Sequence, residues 1–193
     1  FALSSIAATL SKLSMDACLY INQNFAFISF PNELTTGSSI MPHKKNPDVF
    51  ELIRARCNRV QSVPNELTIL INNLPSGYHR DLQLTKEILF PAIEDLKSCL
   101  QIIQVMLSNV EIKDDILSDE KYKYIFSVEA VNELVGKGVS FRDAYRQVGD
   151  QIEKGEFHFN HNRKLHHTHA GSIGHLSNDK IAEQMERVCT RFN

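Results

Sequence analysis

Apolar residues recur at helical spacing through three successive segments, and this periodicity constrains the fold more than any other feature. The first stripe runs Leu3, Ile6, Leu10, Leu13, Ala17, Tyr20. A second helix is expected to begin at Pro47, with Asn46 as N-cap and Asp48 facing the positive helix end. Its apolar face is read as Val49, Leu52, Ile53, Val60, Val63, Leu67 and Leu70, with a bend at Pro64. The third helix is expected from near Asp81, through Leu82, Leu89, Ile93, Leu96, Leu100, Ile103, Leu107 and Val110, with a kink at Pro91. Seams this long in consecutive segments predict an all-α fold built on a bundle of extended helices.

The pattern shortens from about Glu111. Tyr122 to Val135 reads as one helix ended by Gly136-Lys137-Gly138, and Ser140 as the cap of a second from Phe141 to Lys154, stopped by Gly155. A last helix is expected over Asp179 to Arg191, capped by Asn178. The expected organisation is a bundle segment over 1–112, carrying a loop at 31–46, followed by a small helical domain over 113–193. The first stripe has no cap before it and the chain opens on Phe1, so the sequence reads as the C-terminal piece of a longer chain.

Composition excludes several classes. The formal charge is -2, from 21 basic and 23 acidic residues, so no global field recruits nucleic acid. No apolar run approaches the roughly 18 residues that cross a bilayer. Cys18, Cys57, Cys99 and Cys189 form no CxxC pair, which favours reduced thiols and a cytoplasmic protein over disulfides or zinc. Six of the eight histidines (His158, His161, His166, His167, His169, His175) fall within eighteen residues. A metal cluster is the sharper reading, but no cysteine joins them, and the Asn- and Gly-containing context favours a polar connection and no metal.

Chemistry concentrates in the 31–46 loop, which is long for a bundle connection. Gly37 offers a hinge, Ser38 and Ser39 hydroxyls, and Lys44, Lys45 and Asn46 donors, with a helix N-terminus behind them. Between Gly37 and Arg59 five basic residues face two acidic ones, a local excess that suits a small anionic ligand. Composition alone fits a solvated surface loop equally well.

Gly37-Ser38-Ser39-Ile40-Met41-Pro42-x-Lys44-x-Asn46 resembles the signature loop of the fumarase/aspartase superfamily. Its extension, Lys44-Lys45-Asn46-Pro47-Asp48 followed by Glu51-Leu52-Ile53-Arg54, resembles the argininosuccinate lyase branch. A second block, Leu74-Pro75-Ser76-x-Tyr78-x-Arg80-Asp81-Leu82-Gln83-x-x-Lys86-Glu87, is similar to the same family. The resemblance implies β-elimination of argininosuccinate to arginine and fumarate, without cofactor, on a small dicarboxylate substrate. It implies homotetramers with composite active sites, and inactivity of this piece alone, because the partner histidine belongs to the N-terminal half.

Proton removal beside a carboxylate makes a dianionic aci-carboxylate, which needs nearby positive charge and donors. The resemblance makes Ser38 the general base; judged from the residues alone, Ser39 serves as well. It assigns Lys44 and Asn46 to the substrate carboxylate and aci form, and Glu51 to charging a histidine that protonates the leaving nitrogen. Without it, Glu51 reads as an ordinary exposed helix carboxylate. Tyr78, Gln83 and Lys86 are assigned to substrate binding, with Gln83 and Lys86 on one helix face; taken blandly, they are polar residues at a helix start. The competing readings are another fumarate-releasing lyase of the superfamily (adenylosuccinate lyase, aspartase or fumarase type) and a non-catalytic helical scaffold.

Overall fold

Small and apolar side chains meeting on three long helices organise the first part of the molecule. The structure, a computed structural model, describes residues 1–37, 40–41, 45–165 and 167–192. The chain divides into two units, Phe1–Ile116 and Leu117–Asn193. In the first, α1 (Ala2–Ile21) leads through β1 (Ile28–Ser29), β2 (Thr36–Gly37) and β3 (Lys45–Asn46) into α2 (Asp48–Leu70). A 3₁₀ turn over Arg80–Leu84 precedes α3 (Thr85–Ser108), and β4 (Glu111–Ile112) follows.

One core cluster joins Ala7 and Leu10 of α1, Ile53, Cys57, Val60 and Val63 of α2, and Ala92, Leu96, Cys99 and Ile103 of α3. A second gathers Ala17, Phe30, Phe50 and Met106, so the end of α1, the start of α2 and the end of α3 lie together. Successive helices are therefore antiparallel. The Phe30 and Phe50 rings meet at 5.4 Å and 50°, a tilted pair that anchors this end. Asp95 takes Arg56 at 3.2 Å and also Arg59, tying α2 to α3. Burial pushes the Cys57 thiol up to about 12, with Cys99 beside it as the next cause.

The long helices form where the periodicity places them, but their inward registers differ. Phe50 is 1% exposed, whereas Leu52, expected inside, is 62% exposed. On α3 the buried seam is Ala92, Leu96, Cys99, Ile103 and Met106, while Leu100 and Leu107 face outward. Two overlapping stripes share Leu96 and Ile103, and the one with alanine and cysteine wins because small side chains let helices approach closely. Ile6 of α1 is exposed in the same way. Helix starts also move. Asn46 is not a cap: it pairs in β3, and Pro47 takes the N-cap position of α2. The expected start at Asp81 is a 3₁₀ turn, so α3 begins at Thr85.

In the second unit, α4 (Ser127–Gly136) and α5 (Phe141–Glu153) enclose Val131, Ala144 and Val148, and the following segment adds Phe157. The Ser140 hydroxyl accepts from the Asp143 amide at 3.2 Å, as a capping residue should. The helix expected from Tyr122 begins instead at Ser127, after 3₁₀ turns. α6 (Asn178–Cys189) has Ser177 rather than Asn178 at its N-cap position, in the left-handed region at φ 58 and without a side-chain capping bond. A Cβ at Gly174 would run into the Leu165 carbonyl, so the loop needs glycine there.

Candidate active site

The signature segment is clamped at its base. β2 and β3 pair antiparallel, Thr36 with Asn46 and Gly37 with Lys45. Asn46 Nδ2 donates to the Gly37 carbonyl at 3.5 Å, and the Thr36 hydroxyl donates to Asp48. Asp48, in the first turn of α2, thereby locks the loop to a helix end that favours negative charge. Ser38 and Lys44 fall between the paired strands and lie outside the described residues.

Asn46 and Glu51 both line an open cavity of about 930 Å³. The end of α1 contributes Cys18 and Asn22, and β1 and β4 contribute Ser29 and Glu111, with Lys113 following. β1 pairs antiparallel with β4, Ser29 opposite Glu111, and the Ser29 hydroxyl donates to Glu111 Oε2 at 3.0 Å. Burial raises the Cys18 thiol above its usual range; Arg54 opposes that rise, and Glu51 adds to it. Glu51 thus projects charge into the cavity wall from one turn inside α2.

The local excess of basic charge is distributed differently from the expectation. Arg56 and Arg59 are committed to Asp95, and Arg54 Nη1 donates to Met15 Sδ at 3.0 Å. Lys45 remains on the cavity. The net charge of a segment counts side chains that point to several faces of a helix, so only part of it reaches one site.

Tyr78, Gln83 and Lys86 form a second group. Gln83 Nε2 donates to the Tyr78 hydroxyl at 3.4 Å, and both side chains are exposed. Gln83 belongs to the 3₁₀ turn and Lys86 to the first turn of α3, so the two do not share a single helix. None of the three lines the cavity. α2 rises about 1.5 Å per residue, so its length sets roughly 30 Å between Glu51 and this group. The structure therefore brings Asn46 and Glu51 together, and Tyr78 and Gln83 together, at opposite ends of one helix.

Sequence reasoning missed Cys18, Ser29, Glu111 and Lys113. Two-residue strands carry no readable alternation, and the pairing joins positions more than eighty residues apart. Among the histidines, His167 Nε2 lies 3.1 Å from Glu129 Oε2, and its ring faces His169 at 5.8 Å. His166 lies outside the described residues. Among the described residues no group of three or more His, Cys, Asp or Glu is placed to hold a metal ion.

A lyase family model matches residues 1–62. Argininosuccinate lyases of Bacteroides fragilis and Phocaeicola vulgatus are 54% and 55% identical over 193 residues, all of this chain and 43% of each relative. The chain thus spans less than half the length of these relatives. The crystal structure of EDDS lyase in complex with formate shares the fold at a TM-score of 0.68, with 19% identity over 80% of this chain and 32% of that one. Over its whole length the chain is thus similar to the C-terminal part of argininosuccinate lyases, and its first 62 residues match the lyase family model.

Proposed function

We propose that these residues supply the signature-loop half of an argininosuccinate lyase, which eliminates fumarate from argininosuccinate and leaves arginine. The observation that carries this reading is the clamped loop base: β2, β3 and the first turn of α2 hold Asn46 and Glu51 on the rim of one cavity. Ser38 would take the proton from the carbon beside a succinyl carboxylate, and the pair of electrons left behind would spread into that carboxylate. Lys44 and Asn46 would stabilise the resulting aci form. The carbon–nitrogen bond then breaks, with the proton delivered by a histidine that Glu51 charges. Atoms and electrons balance without a cofactor. A ligand of this class is a small dicarboxylate.

The separation within α2 supports a composite site. Groups about 30 Å apart, at the two ends of α2, cannot touch one small substrate. Tyr78, Gln83 and Lys86 would therefore serve a cavity on another copy, within a symmetric homotetramer. The cysteines are unpaired, which fits a cytoplasmic enzyme. Among the described residues no helix is long and apolar enough to cross a membrane.

A chimera tests the reading: these 193 residues replace the matching 43% of the Bacteroides fragilis relative. Release of fumarate from argininosuccinate, followed by its ultraviolet absorbance, is expected. A chimera that folds and assembles yet releases fumarate only from adenylosuccinate or aspartate, or from nothing, contradicts it.

A further inference from the structure

We propose that Lys113 is a substrate-binding residue, the anchor for the second carboxylate of a succinyl unit. The inference rests on the lyase reading above and extends it to a residue outside both sequence blocks. A succinyl group carries carboxylates on adjacent carbons, and during elimination one of them takes up further negative charge. Two anions so close need separate cationic anchors, since one set of donors cannot satisfy both and the new charge as well.

The loop offers one anchor, through Asn46 and its neighbours. The cavity wall built by β1 and β4 offers another. Lys113 follows β4, and its amide donates to the Phe27 carbonyl at 2.9 Å, so its backbone is fixed beside the cavity that Asn46 lines. Its ammonium makes no ion pair among the described residues. Glu111, the nearest acidic residue in sequence on that wall, is held by the Ser29 hydroxyl. A lysine on a cavity wall that makes no ion pair among the described residues, beside a carboxylate already held by a hydroxyl, can take an incoming anion. Its stem is long enough to follow a ligand without moving the ribbon.

The test uses the chimera with Lys113→Met and Lys113→Arg. Lys113→Met is expected to raise KM for argininosuccinate about tenfold, and the inhibition constant for succinate by the same factor, with kcat within about twofold. Lys113→Arg is expected to restore most of both constants, because it keeps the charge. Unchanged KM and succinate inhibition in Lys113→Met overturn the proposal, as does a loss confined to kcat. Should the unsubstituted chimera fail to turn over, the lyase reading fails. Lys113 is then judged by calorimetric titration of succinate into the chimera and Lys113→Met: a tenfold weaker affinity sustains the anchor, and equal affinities reject it.

Discussion

The two ends of α2 are built on different principles. The start of the helix is packed: Phe50 is buried against Phe30, Ala17 and Met106, and a pair of two-residue strands clamps the loop that precedes it. The far end is open, with Ile69 and Ile71 exposed and with Tyr78, Gln83 and Lys86 on the surface. A packed end can hold reacting groups within a narrow geometry, whereas an open end must meet something else to become ordered around a ligand. One helix therefore has a packed group of residues at its start and an open group beyond its end.

The largest expected effect belongs to the packed end. In the chimera, Ser38→Ala should lower kcat by about a thousandfold or more while succinate still inhibits, because a base is lost and the anionic anchors are kept. Steady-state kinetics with succinate as competitor checks this. Near-normal turnover would remove Ser38 from the role of base.

At the open end, Gln83→Ala with Lys86→Met should cost about a hundredfold in kcat/KM, roughly a tenfold factor for each polar group withdrawn from the substrate. An effect within twofold would show that this end never meets substrate, and the contrast between the ends would lose its functional meaning.

Stability sharpens the same contrast. Phe50→Ala should destabilise the chain by about 3–5 kcal/mol in urea unfolding, from lost burial plus the cavity left behind. Ile69→Ala should fall within about 0.5 kcal/mol, as surface substitutions do. A larger cost at Ile69 that grows with protein concentration would reveal that copies cover this end.

Between the two ends sits Cys57, whose thiol burial pushes up to about 12. A thiol whose folded pKa lies above the unfolded one favours folding fully below the unfolded pKa. That contribution is lost as pH rises, because the unfolded chain then binds fewer protons. Stability should fall from about pH 9 towards 12, by up to about 1.4 kcal/mol per pH unit. Cys57→Ala should flatten that slope in pH-dependent urea melts, and an unchanged slope would assign it to other groups.

The long helices were legible because apolar residues at helical spacing persist over several turns. Their inward registers were not. Leu52 and Leu107 look like core and face outward, while Ala92, Cys99 and Met106 look incidental and face inward. Apolar content alone does not reveal which stripe allows the closest approach of a neighbouring helix. Asn46-Pro47-Asp48 spells a helix cap, yet the chain uses Asn46 in a strand pair, where its amide meets the Gly37 carbonyl. Asn46 and Glu51 were legible as site candidates through motif resemblance. Ser29, Glu111 and Lys113 were not, since only tertiary pairing brings the end of α3 beside the end of α1.

The central claim is that the two ends of α2 serve different copies of the site. Co-assembly of the Ser38→Ala chimera with the Gln83→Ala/Lys86→Met chimera tests it most directly. Random pairing should leave about a quarter of the sites with both ends intact, and fumarate release at low substrate should recover to about that fraction. A mixture proven to co-assemble, yet no more active than the two variants apart, would contradict the account.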